Sequence, residues 1–349
     1  MRPTAILRSV RDRHRLVIAL ILALAGVLFV VGIGWGLPQS INPETVQPWA
    51  LDTIAPIAPL NEAYYRFTRS GNEYVVYPLF HYIVLGVAYA PYIAVQYLAG
   101  NFTDPSATFP YGITDIAGFT GDLTIIARLV SLSMAIGVVF VVYRMTRMTV
   151  GGRAGLLAAA ACSLIAPLSY YAKTSNLDVP YAFWVCLAVW RFLHILDTPQ
   201  QRDFVLMGIF AALAVATKDQ AYGFFVVVPF ILATRLAAQL DDTTGGPTWR
   251  WLRALFSPPM LAGGAAAAVT YALANNLFFG GMDGWLRHLS YGGDLYDYRS
   301  ETESAFYSLH SQLTLLGDSS IIVLQSLGPI TILFAIAGIA FAIRERSLR

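Results

Sequence analysis

Long apolar runs separated by short polar turns dominate the chain. They occupy about residues 16–35, 77–98, 125–143, 155–171, 179–196, 204–217, 221–236, 260–279 and 321–343. The runs are rich in Ala, Leu, Val and Ile and lack the alternation of a half-buried strand, so each predicts a helix. A stretch of about 20 apolar residues is long enough to cross a bilayer. A membrane β-barrel reads instead as short alternating segments, and that class is excluded. The pattern predicts an all-α polytopic membrane protein.

Charge fixes the expected topology. Arg2, Arg8, Arg11, Arg13 and Arg15 precede the first run, and no small-residue cleavage site follows it. It therefore reads as a retained span with a cytoplasmic N-terminus. If all nine runs crossed, the turn carrying Arg144, Arg147 and Arg153 would face outside and the acidic turn at Asp178 would face the cytoplasm. The 77–98 run contains His81, Gln96, Pro78, Pro91 and five tyrosines. Laying it on the external surface as an interfacial helix restores the charge rule for every later turn. About eight spans are then expected within one domain of residues 1–349. Both termini are cytoplasmic, two large external loops cover 36–124 and 280–320, and the plasma (inner) membrane is the expected location.

Composition agrees. At 56% hydrophobic and 13% charged, with a mean hydropathy of +0.58, the chain lies outside the soluble range. A net charge of +2, with the arginines gathered on the turns assigned to the cytoplasm, offers no basic surface for nucleic acid. Cys162 and Cys186 lie inside apolar runs, where a thiol behaves as a small hydrophobe. The sequence has no His/Cys cluster with metal-site spacing, no glycine-rich phosphate loop and no serine nucleophile elbow. The sequence establishes no cofactor, and it leaves a divalent metal open without supporting one.

Chemistry concentrates in the segments assigned outside. Asp52, flanked by Trp49 and Pro56 just beyond the first span, is placed to sit in a partly dry cleft with a raised pKa, as a general base requires. A helix N-cap is the plainer alternative. Lys173 and Asp178 stand at a membrane boundary, where ionisable groups facing a cavity are usually functional. Alternatively they pair with each other, or Asp178 caps the helix begun by Pro180. Lys218, in the turn Thr217-Lys218-Asp219-Gln220 between two short runs, suits a phosphate; pairing with Asp219 or snorkelling is the bland reading. The last loop mixes Asp283, Arg287, His288, Tyr291 and further aromatic and charged residues, as a sugar or lipid-headgroup surface would. Asn101-Phe102-Thr103 is an N-glycosylation sequon, meaningful only in a glycosylating host.

Taken in order, these pieces resemble the GT-C superfamily of membrane glycosyltransferases, especially the protein-mannosyltransferase and aminoarabinose-transferase type. The resemblance runs from the first span to about residue 320. It rests on Asp52 in the first external loop, Tyr77-Pro78 before a surface helix, Arg128-Leu-Val-Ser opening the second span, the basic turn Arg144 to Gly155, Asp178, and Thr217-Lys218. It implies transfer of a sugar, with inversion, from a polyprenyl-phosphate carrier to an acceptor hydroxyl on a protein, lipid or glycan. Asp52 and Asp178 are the implied catalytic residues. Lys218, Arg128, Lys173 and Arg287, in that order, are the cations for the donor phosphate. Tyr77, His81, Asn176, Gln220, His288 and Tyr291 are the expected substrate contacts, with membrane lipids as surroundings. Two positions depart from the family pattern. Thr53 stands where many relatives carry a second carboxylate, and Val76 where many carry a lysine. Relatives with further spans leave room for a C-terminal extension. The rival expectations are a transporter or flippase of a lipid-linked or polar solute, which would need broken helices meeting at the membrane midplane, and a catalytically inactive subunit.

Overall fold

The computed structural model describes residues 3–39, 48–49, 53–61, 77–104, 106, 110–240, 246–279, 282–290 and 308–347. Asp52, Val76 and Tyr291 lie outside the described residues. Among the described residues the principal helices are α1 (Pro3–Val30), α2 (Phe80–Leu98), α3 (Ile116–Thr149), α4 (Gly152–Ser163), α5 (Ala166–Tyr171), α6 (Asp178–Asp197), α7 (Gln201–Val215), α8 (Val228–Ala237), α9 (Pro247–Leu255), α10 (Pro258–Ala274) and α11 (Leu309–Ser347). Among the described residues there is no strand, only an isolated bridge between Phe102 and Ile113. The all-α polytopic class expected from the sequence is the class observed.

Among the described residues four segments are long and apolar enough to cross a membrane: Arg13–Val30, α3, α6, and Asp219–Ala237, which ends with α8. There are up to six if the bent pair α9–α10, at 42°, and the two arms of α11, at 99°, each count as one. As expected, α2 is not among them. Three of the expected runs differ in detail. The 155–171 run is broken, because α4 stops at Ser163, Leu164 and Ile165 interrupt, and α5 restarts with Pro167 in its first turn, where a proline costs no hydrogen bond. The 204–217 run becomes α7, whose 15 residues fall short of a bilayer's apolar thickness. The 321–343 run belongs to a helix that starts earlier, at Leu309, and is interrupted at Gly328 (φ 72°) next to Pro329. Proline cannot continue the ladder, and glycine adopts the left-handed region without strain.

Small residues set the packing. Without water there is little hydrophobic drive between helices in lipid, so close backbone approach matters. At the α7–α10 crossing Gly208 stands directly against the carbonyl of Gly263, and a Cβ on Gly263 would lie 2.9 Å from the Phe204 oxygen. Gly155 of α4 meets the Tyr143 carbonyl of α3 at the same separation from a hypothetical Cβ. One core joins α1, α3 and α4 through Ala25, Phe29, Ala135, Val139 and Ala159. A second core seats α2 on the first turns of α3 through Leu85, Tyr89, Leu123 and Ala127.

Replacing Gly208 with Ala should push α7 from α10 and destabilise the protein by about 1–3 kcal/mol, as overpacking does. Thermal unfolding in detergent measures this. Gly264→Ala, next to the contact but with open space around it, should leave the transition nearly unmoved.

Candidate active site

Several irregular segments meet at one end of the bundle, each pinned by a side chain or a lone backbone bond. The Ile54 N–H donates to the Ser175 carbonyl at 3.1 Å, which brings the chain beside Asp52 against the turn before α6. The Phe80 N–H donates to the Ala216 carbonyl at 3.2 Å, and the Leu79 N–H donates to Asn275 Oδ1 at 3.2 Å. The start of α2 is thereby tied to the ends of both α7 and α10. Phe80 also packs edge-on against Trp184 of α6, with ring centroids 5.8 Å apart.

A salt bridge lies at this junction. Lys218 Nζ donates to Asp178 Oδ1 at 2.6 Å, with side chains 17% and 28% exposed. Asp178 is the first residue of α6, and the N-cap Leu177 makes no side-chain cap bond, so the carboxylate faces the positive end of a helix dipole without acting as the cap. Asn176 orients it. The Asn176 amide donates to Asp178 Oδ2 at 2.8 Å, and the Asp178 N–H donates back to Asn176 Oδ1 at 3.1 Å. Burial opposes the charge on Lys218. The hydrogen bond and charge of Asp178, with smaller help from Tyr77 and Tyr181, outweigh burial and hold the lysine pKa above its ordinary 10.5. Its ammonium sits 5.7 Å from the centroid of the Tyr181 ring. An ammonium has three donors, and Asp178 takes one.

A second acid–base pair adjoins the first. Asp219 Oδ2 and His288 Nε2 are 2.7 Å apart, with His288 almost enclosed and Asp219 more open. This contact carries the 282–290 helix to the Lys218 turn. Asp219 therefore partners His288 and not Lys218. Likewise Asp178 partners Lys218 and not Lys173, whose ammonium donates to the Val31 carbonyl at 2.9 Å.

Beside this junction lies a cavity of about 660 Å³ lined by Trp35, Trp49, Arg128, Ser169, Tyr170 and Lys173, among others. Arg128 is 1% exposed, and its Nη1 donates to the carbonyls of Ile33 and Trp35, each at 2.6 Å. It closes the irregular end of α1. Gly36 (φ 61°) receives the returning chain: the Trp49 N–H donates to its carbonyl at 2.8 Å, and a Cβ there would lie 2.7 Å from that of Trp49.

The structure thus gathers Tyr77, Asn176, Asp178, Lys218 and His288, while Arg128 and Lys173 line the neighbouring cavity. Arg287 and Gln220 are exposed. His81 is 1% exposed, with neither ring nitrogen hydrogen-bonded among the described residues; it is enclosed on the buried face of α2 with Tyr82, Leu85 and Tyr89. Sequence reasoning missed Asn275 and the role of Asp219. The signal for Asn275 was available, since Asn275-Asn276 ends an apolar run and both are buried. Among the described residues no three His, Cys, Asp or Glu side chains stand close enough to hold a metal ion.

Residues 108–256 match the model of the dolichyl-phosphate-mannose-protein mannosyltransferase family, a GT-C family. That is a membrane glycosyltransferase signature. The matched segment contains Arg128, Lys173, Asn176, Asp178, Lys218 and Gln220, so the resemblance drawn from the sequence is borne out over the stretch that supplies the salt bridge. No curated protein and no solved structure matches the chain.

Burial lowers the His81 pKa from its ordinary 6.5 to about 3. A histidine kept neutral in the fold but protonated in the unfolded chain costs stability as pH falls from 6.5 towards 3. Relative to His81→Leu, the wild-type protein should lose stability progressively below pH 6.5, and the difference between the two should be flat above it. Unfolding temperatures across pH 4–8 test this.

Proposed function

We propose that this protein is an inverting glycosyltransferase that moves a sugar from a polyprenyl-phosphate carrier to an acceptor hydroxyl at the end of the bundle bearing Asp178, on the external side of the membrane. The observation that carries this reading is the Lys218–Asp178 pair, formed where several irregular segments converge and lying wholly within the family match.

In this reading Asp52 is the general base. It takes the acceptor hydroxyl proton as the acceptor oxygen attacks the anomeric carbon from the face opposite the phosphate. The bond from that carbon to the phosphate oxygen breaks, and the configuration inverts. The leaving group is a lipid phosphate, whose added negative charge a protonated Lys218 offsets. Such electrostatic help is worth most in a water-poor site. Asp178 holds the lysine charged and aimed, and leaves two ammonium hydrogens for phosphate oxygens. Arg128 acts by closing the end of α1 that carries the first loop, while Lys173, Tyr170 and Trp49 shape the adjoining cavity for donor or acceptor. The backbone bond between Ile54 and Ser175 keeps the segment next to Asp52 against the turn before α6. The acceptor is a protein, lipid or glycan hydroxyl, and the donor sugar is a mannose or a related sugar.

The test is release of free polyprenyl phosphate, followed by mass spectrometry, when the purified chain meets a panel of polyprenyl-phosphate sugars and membrane extract. Wild type should release it. Asp52→Asn should lower the rate about 10²–10⁴-fold, as loss of a general base does. Lys218→Met should lower it about 10²–10³-fold, as loss of one electrostatic donor does. Release by Asp52→Asn at the wild-type rate would reject the assigned base. No release from any donor by wild type would move the reading to a transporter or an inactive subunit.

A further inference from the structure

At the opposite end of the same helices lies a second cavity of about 660 Å³, whose lining includes Arg15, Tyr143, Arg144, Arg147, Trp190 and His194. His194 lies sixteen residues along α6 from Asp178, about 24 Å at the helical rise, so the two sites occupy opposite faces. Arg144 and Arg147 are three apart on α3, and Trp190 and His194 four apart on α6, spacings that put each pair on one helix face. The Arg144 guanidinium lies 4.9 Å from the Trp190 ring centroid and 5.9 Å from that of Phe140. Arg147 Nη1 donates to the buried Tyr143 hydroxyl at 3.1 Å.

The two arginines of α3 differ from the arginine next door. Arg191, one residue from Trp190, has a carboxylate partner, Asp203, at 3.2 Å. Among the described residues Arg144 and Arg147 are held by aromatic groups, and none that lines the cavity is acidic. Two guanidiniums fixed by ring stacking and a tyrosine hydroxyl, with their forks still open, form a receptor for an oxyanion. Ile18 and Met148 add apolar lining, and α1, which contributes Arg15 and Ile18, carries the outward-facing Leu16 and Leu20, 72% and 58% exposed. That surface suits acyl chains.

We propose that this cavity binds the phosphate of an anionic lipid headgroup in the leaflet opposite the Asp178–Lys218 site. The lipid is a bound partner there, not the sugar donor. Its phosphate lies between Arg144 and Arg147, with His194 and Trp190 as walls and the acyl chains along the first turns of the α1 span.

The experiment is native mass spectrometry of the full chain released from nanodiscs that contain phosphatidylglycerol and phosphatidylcholine in equal amounts. Wild type should retain phosphatidylglycerol preferentially. The double variant Arg144→Gln, Arg147→Gln should lose most of that preference, at about five-fold per arginine. Arg202→Gln, which removes a charge from the same face at an exposed position outside the cavity, should keep it, and unchanged unfolding temperatures would show that all variants fold. Adding 20 mM inorganic phosphate separates the two possible sources of the phosphate. Retention unaffected by the salt's phosphate supports the lipid headgroup, while displacement of the lipid would overturn it in favour of a soluble phosphate ester. Equal retention of both lipids by wild type, or unchanged preference in the double variant, would overturn the site itself.

Discussion

A bilayer offers no water to the backbone, so any chain leaving the helical path near it must have its N–H and C=O groups answered by the protein. Several of the described irregular segments at the Asp178 end meet this demand through a particular side chain or backbone bond. Arg128 answers the carbonyls of Ile33 and Trp35, Lys173 that of Val31, and Asn275 the N–H of Leu79. Ile54 and Ser175 answer each other. These contacts join segments from distant parts of the chain, so satisfying the backbone and assembling the site are the same act. The polar residues that look most catalytic in a linear reading are in several cases the ones that hold the frame.

This shapes the division of labour among the cations. Arg128 is enclosed and two of its hydrogens are committed to carbonyls, whereas Lys218 sits in a half-open junction with donors left over. A rigid, planar guanidinium suits the first task, here with both hydrogens of Nη1 on carbonyls, and an ammonium on a flexible stem suits the second. The family match over residues 108–256 covers both positions.

The helical class was legible, because continuous apolar runs carry that information directly. The break between α4 and α5 was not, since Leu164 and Ile165 are themselves apolar and only Pro167 marks the interruption. Asp178 and Lys218 were each legible as ions at a membrane boundary. Their union was not, because they lie 40 positions apart and each has an opposite charge nearer in sequence, Lys173 and Asp219. Tertiary structure chose differently by giving Lys173 a carbonyl and Asp219 a histidine. His81 was expected among the substrate contacts from the family resemblance, and its burial on the inner face of α2 was not legible from its position in an apolar run.

The length of α6 has a consequence for the surrounding lipid. Between Asp178 and the Arg191–Asp203 pair lie only twelve residues, Val179 to Trp190, about 18 Å of helix against a hydrocarbon layer of about 30 Å. Its neighbour α7 has only 15 residues in all. Set in a bilayer, so short a stretch between charges would draw the lipid surface in towards them by local thinning. A reaction centred on Lys218 would then take place in a depression of the membrane, at the depth where the phosphate of a long-chain lipid already lies, so the carrier would reach it by lateral diffusion without being lifted out of the bilayer.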